Sequence, residues 1–240
     1  MKPIYCPTGR AREYGDYAIN IYTGCPHQCY YCFAPNVLRK QREQFHSCIE
    51  PRKNIVEEVR KQIKREGITG KLIHLCFSCD PYPKGCDSTS TREIIKILKE
   101  TGNHVQILTK NGQDAMRDFD LLDEQDWFGI SYAGYSNFHD DCVADEEPGT
   151  GNLIYRINAL SNAAFKGIKT WVSAEPVLNE SNILDVIQKW DFVDKWKIGK
   201  LNYHPSDINW KDFGERVEQL CRDNHKNYYI KDSLRVEMNK

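Results

Sequence analysis

Seven short runs rich in β-branched and aromatic residues recur along this 240-residue chain, with helix-period runs between most of them. The first, YAINIYT (17–23), precedes KNIVEEVRKQIKREG (53–67), where Ile55, Val59 and Ile63 fall four apart on one helical face and Gly67 supplies a stop. KLIHLCFS (71–78) is almost continuously apolar, as a strand covered on both faces should be. Ser90-Thr91-Arg92-Glu93 reads as a capping box opening the next helix. HVQILT (104–109), a helix over 113–124 and WFGISY (127–132) follow, and then a helix over 152–167 with Leu153, Ile157, Leu160 and Ala164 at helical spacing. Strands at 168–177, 196–202 and 227–234 alternate with helices over 181–190 and near 210–223. This alternation predicts an α/β fold, a parallel sheet with right-handed crossovers. Six or seven units are too few to close an eight-fold barrel. The expected architecture is a partial (β/α)6-type open TIM-like barrel, one domain over residues 1–240, with its chemistry on loops at the C-terminal ends of the strands.

Composition narrows the class. About 40% of residues are hydrophobic, enough for one substantial core, and the mean hydropathy of -0.65 implies a strongly polar surface. No run approaches the length of a membrane span, and the N-terminus has no apolar segment of the secretory type. Ten unevenly clustered cysteines in a long chain fit a reducing, cytoplasmic setting with metal-binding or reactive thiols better than a disulfide framework. A net charge of -1 gives no global footprint for nucleic acid, while leaving a local basic groove open.

The densest chemistry lies in TGCPHQCYYCFAP (23–35), where Cys25, Cys29 and Cys32 share one loop after the first strand. Three thiolates at this spacing can wrap an iron–sulfur cluster and leave one iron open to a further ligand. The alternatives are a zinc site completed by Cys6 or Cys48, or three unrelated structural cysteines.

CxxxCxxC with Tyr31 before the last cysteine resembles the radical S-adenosylmethionine (SAM) superfamily. The resemblance to its spore photoproduct lyase-like branch (DNA repair photolyase-like) covers most of the chain. It is carried by GRAREY (9–14), GCPHQCYYCFAP, SCDPYP (78–83), LTK (108–110), GISY (129–132), and EEPGT followed by YRINAL (146–160). It implies a [4Fe–4S] cluster on Cys25, Cys29 and Cys32, with SAM on the open iron, cleaved reductively to a 5′-deoxyadenosyl radical that abstracts a substrate hydrogen. It further implies SAM contacts. Tyr31 and the backbone around Phe33 meet the adenine, Cys79 stands where the lyase has a serine, Lys110 meets the carboxylate, Ser131 approaches the ribose, and Arg156 meets carboxylate or ribose. A small redox protein would supply electrons.

Two positions depart from the lyase pattern. Phe77 stands where the resemblance would place a hydrogen-donating cysteine, and Phe33 where it would place a tyrosine, so thymine-dimer repair by that relay is not expected. The substrate stays open between a nucleic-acid base, including photoproduct repair, and a peptide or small molecule. Cys79 and Cys86 are weak hydrogen-donor candidates, with Cys86 in its loop the more reactive of the group, whereas Cys76 reads as a core residue. Glu175 and Lys200 are expected at the barrel mouth as substrate or SAM contacts, or else as strand terminators or partners of each other; Lys231 reads similarly, and Tyr203 and His204 follow Lys200 on its loop. His27 reads as a loop residue, and Cys6, Cys48, Cys142 and Cys221 receive no role. The competing non-enzyme reading is a zinc- or cluster-containing binding module on a barrel scaffold.

Overall fold

The computed structural model describes residues 2–135 and 147–240, and Cys142 lies outside them. Eight strands form one sheet in strictly sequential order. They are β1 (Ile4–Tyr5), β2 (Tyr17–Ile19), β3 (Leu72–Leu75), β4 (His104–Thr109), β5 (Trp127–Ser131), β6 (Lys169–Ala174), β7 (Lys195–Ile198) and β8 (Tyr228–Ile230). β2 to β8 are all parallel, and only β1 runs antiparallel, against β2. Among the described residues β1 and β8 each pair on one side, so the barrel is open, as expected.

Helices cover the outside of this sheet because their apolar faces have nowhere else to go. Helix Ile55–Glu66 buries Ile55, Val59 and Ile63, and ends at Gly67 in the left-handed region (φ 61). Helix Leu153–Phe165 is rotated from the expected face, burying Leu153, Arg156, Ala159, Leu160 and Ala163. Helix Thr89–Glu100 starts earlier than the proposed capping box. Asp87 Oδ1 accepts from Thr89 N at 2.8 Å and Thr89 Oγ1 at 2.6 Å, so the start is set by an aspartate turn. The expected helix over 113–124 divides into an α-turn, Gly112–Ala115, and a 3-10 segment, Met116–Leu121. Sequence periodicity gave no sign of helices Ala34–Leu38, Arg42–Ser47 and Asp232–Met238, nor of β1.

Inside the barrel, one close approach sets the width. Trp171 on β6 lies flat on Gly129 of β5, where an added Cβ would fall 2.3 Å from the indole nitrogen. That indole N–H donates to Ile107 O of β4 at 2.9 Å. One tryptophan therefore braces three strands and floors the space above them.

Candidate active site at the mouth of the open barrel

Beyond the C-terminal ends of the strands lies a cavity of about 880 Å3, near the top of the range of ~300–1,000 Å3 common for small-molecule sites. Cys25, Cys29 and Cys32 line it, as do Tyr31, Phe33, Cys79, Lys110 and Ser131. The cysteine loop is shaped by close backbone contacts. A Cβ on Gly24 would meet Phe45 O at 2.3 Å, and one on Gly149 would meet Pro26 O at 2.0 Å. Gly149 N also donates to His27 O at 3.1 Å, tying EEPGT onto the cysteine loop. These contacts explain why helix Arg42–Ser47, whose Phe45 is fully buried, forms without much amphipathic signal.

β3 ends early because Cys76 turns into the left-handed region (φ 69), folding the next residues over the barrel mouth. Asn20 Oδ1 accepts from Phe77 N at 2.8 Å and Ser78 N at 3.0 Å, fixing that fold. Asp80 then staples the β3 and β4 ends together. Its Oδ1 accepts from Tyr82 N (2.8 Å) and Thr109 Oγ1 (2.7 Å), and its Oδ2 from Lys110 N (2.8 Å). Burial raises the Asp80 carboxyl to about 6 in spite of those bonds. His27 is a loop residue, as read from sequence, and a buried connector: Nδ1 lies 3.5 Å from Asp80 Oδ2 and Nε2 accepts from Lys84 N at 3.2 Å. Burial, with Arg156 and Lys110 nearby, holds it neutral at about 3.

Lys110 points to the cavity with its charge already compensated. Nζ meets Tyr31 Oη at 2.8 Å and also bonds Glu147. Glu147 Oε2 faces the Arg156 guanidinium at 2.8 Å, and both side chains are fully buried. Burial opposes ionisation of Glu147, yet Lys110 and Arg156 hold its carboxyl well below the usual range. Arg156 stands behind the cavity wall. Its guanidinium is used by Glu147, Thr150 Oγ1 and Gly151 O (3.0 Å), so it braces the site instead of offering a direct ligand contact. Neither Lys110 nor Arg156 is a solvated surface charge.

The opposite side of the mouth, at β6–β8, holds a buried ionic cluster. Tyr14 Oη donates to Glu175 Oε2 at 3.0 Å and lies 3.2 Å from Ser173 Oγ. Lys231 bonds Glu175 and reaches Tyr14 Oη at 3.1 Å and Glu13 Oε2 at 3.3 Å. Lys197 Nζ donates to the carbonyls of Glu13 (2.9 Å) and Tyr14 (3.1 Å), and burial lowers it to about 7, with Lys195 and Lys231 adding to the effect. Glu175 and Lys200 both line the cavity but do not pair with each other, because Lys200 is taken by Glu237. Tyr203 is 81% exposed on the rim, with Arg10 5.4 Å from its ring centroid.

Between the two sides, Ser78 Oγ and both His74 nitrogens are buried on the cavity wall without hydrogen-bond partners. Tyr14, His74, Ser78, Asp80 and Glu147 were not assigned roles from sequence, although the quoted motifs contain four of them. Cys76 is buried and also lines the cavity beside Cys79, whereas Cys86 sits away from the cavity wall. Burial pushes Cys79 up, but hydrogen bonds from Cys76 and the Tyr22 backbone outweigh it and leave Cys79 lower than an ordinary thiol.

The donor set suits a multi-iron group better than one ion. Burial raises all three loop thiols, Cys29 to about 12, so they are protonated until a soft cation displaces the proton. Tetrahedral zinc with ~2.3 Å bonds would bring its sulfurs to about 3.8 Å of one another. Among the described residues, only His104, Asp123 and Asp126 bring three ligand atoms within 4.8 Å, and Lys99 pairs with both of those aspartates. Cys6 and Cys48 are exposed and off the cavity, so neither completes a zinc site with the loop.

The open parallel barrel is similar in fold to solved radical SAM enzymes. A spore photoproduct lyase variant solved with bound SAM and dinucleoside spore photoproduct superposes with a TM-score of 0.68 at 14% identity, covering 94% of this chain and 79% of that one. A radical SAM methyltransferase from Sphaerobacter thermophilus gives 0.59 at 14% identity, over 89% and 65%. By sequence, an uncharacterized protein of Methanocaldococcus jannaschii is 28% identical over 172 residues, 71% of this chain but only 62% of that protein. No protein-family model matches the chain. No helix of the described residues is long and apolar enough to cross a membrane.

Proposed function

We propose that this chain is a cytoplasmic radical SAM enzyme, a single domain over 1–240, in which Cys25, Cys29 and Cys32 hold a [4Fe–4S] cluster. The observation that carries the reading is the convergence of these three thiols and Lys110 on one cavity at the strand ends of an open parallel barrel. When bound, SAM and the cluster supply a 5′-deoxyadenosyl radical for hydrogen abstraction. The chain's own residues bind, orient and enclose. Lys110, held by Glu147 and Tyr31, offers an ammonium to the SAM carboxylate. Tyr31, the backbone at Phe33, Ser131 and Cys79 line the space for the nucleoside, and Arg156 acts through Glu147. Of the two thiols weighed as hydrogen donors, Cys79 is the better placed, because it faces the cavity and Cys86 does not.

The reaction type beyond hydrogen abstraction is open between lyase or oxidoreductase chemistry and methyl transfer, since the fold serves both kinds of neighbour. Phe77 and Phe33 weigh against repair through a thiol–tyrosine relay, leaving nucleobase, peptide and small-molecule substrates. A small redox protein is the proposed electron donor. The test is anaerobic reconstitution followed by dithionite and SAM. About four irons and four sulfides per chain with release of 5′-deoxyadenosine are expected. Zinc alone, with no SAM cleavage, would return the chain to the class of binding modules.

A further inference from the structure

The carbonyl oxygens of the cysteine loop are gripped by basic side chains from the segment that follows it. Arg42 donates through one guanidinium nitrogen to Cys29 O and through the other to Cys32 O at 3.4 Å. Lys40 Nζ donates to Thr23 O at 2.8 Å, and His46 Nδ1 lies 2.7 Å from Cys25 O. All three cysteines of the candidate ligand set, or the residue leading into them, are thus held by side chains within 40–46. Lys40 and Arg42 form no ion pair among the described residues, in contrast to Lys110 and Arg156, which share the Glu147 carboxylate. Their charge is therefore not spent on a carboxylate. It is delivered to the backbone of the ligand loop.

We infer that Lys40 and Arg42 are positioning residues that set the reduction potential of the group held by Cys25, Cys29 and Cys32. The inference rests on the proposed function above. The step they act on is the addition of one electron from an external one-electron donor, with no bond made or broken and the charge at the loop becoming one unit more negative. Two uncompensated cations at the loop favour the more negative state and so raise the potential. Cys29 O also accepts from Cys32 N at 3.0 Å, so Arg42 adds a second, charged donor to a carbonyl that closes the loop's own turn.

The test is an EPR-monitored redox titration of the anaerobically reconstituted protein. Arg42→Gln should shift the one-electron equilibrium about tenfold towards the oxidised form, ~59 mV. Arg42→Lys should restore most of the wild-type potential, and Arg42→Glu should fall below Arg42→Gln. Lys40→Met should move in the same direction with the Arg42 contacts intact. Because Arg42 is exposed, raising the salt should bring the wild-type potential down towards that of Arg42→Gln while moving Arg42→Gln itself far less. Equal potentials across the series at full iron content, or Arg42→Lys behaving like Arg42→Gln, would overturn the inference. If Arg42→Glu fails to load iron, Lys40→Met and the salt series decide. Failure of the parent reading is a separate result, because it shows as absent iron in the wild-type protein.

Discussion

The two sides of the cavity solve the problem of buried charge differently. At β6–β8, Glu175, Lys231, Tyr14 and Glu13 compensate one another internally. At the cysteine loop, cations address backbone carbonyls and burial keeps the thiols protonated. A self-compensated cluster keeps its shape with or without a ligand. A side whose thiols give up their protons only to a soft cation takes its final form from what binds there. The first is suited to shape and polarity selection, the second to holding a cofactor.

The sharpest break in this contrast is Cys32→Ala. It should abolish bound iron and sulfide while leaving far-UV circular dichroism and solubility unchanged, because nothing in the core rests on this thiol. Retained SAM cleavage by that variant would contradict the ligand assignment. Next in size is Glu147→Gln, which leaves Arg156 buried without its carboxylate and should cost about 3–5 kcal/mol in urea unfolding. Glu175→Gln should cost less, about 1–3 kcal/mol, since Lys231 keeps Tyr14 and Glu13. Equal losses would mean that Arg156 and Lys231 depend on their carboxylates to the same degree.

Two pH series probe the buried bases. Lys197 is lowered from 10.5 to about 7, so the unfolded chain holds its proton more tightly. Its contribution to stability is fully present above 10.5 and is lost as the pH falls through about 7. The melting temperature of wild type relative to Lys197→Met should therefore decline from pH 9.5 to 6.5. A flat difference would show Lys197 to be solvated. His74, lowered by burial from 6.5 to about 3, contributes stability that is lost as the pH falls between those values. His74→Phe, stacked on Phe77, should gain on wild type as acid is added, by about 2 kcal/mol at pH 5. No gain at pH 5 would mean that the unpartnered nitrogens find water.

Legibility followed the origin of each element's stability. HVQILT appears as a strand at its expected bounds because both its faces are covered and its composition alone suffices. KLIHLCFS overshoots, because apolar composition says nothing about the left-handed turn at Cys76. Helices Ala34–Leu38 and Arg42–Ser47 are five and six residues long, too short to show a hydrophobic period, and the second serves the cysteine loop through Arg42 and His46, which meet its carbonyl oxygens. The loop thiols and Lys110 were legible as motif residues. Glu175 and Lys231 were legible as charges at strand ends, but their pairing, across 56 residues, emerges only when β6 and β8 bring them to one mouth.

An open barrel leaves sheet edges, and the one at β1 is closed by a side chain. Gln62 donates to Ile4 O and accepts from Ile4 N, both at 2.8 Å, so a single amide takes the place of a neighbouring strand. Helix Ile55–Glu66 thereby plugs the rim it packs against. A second molecule approaching along that rim finds its hydrogen-bonding groups already satisfied, and copies of the protein have no ladder there to extend into a fibre.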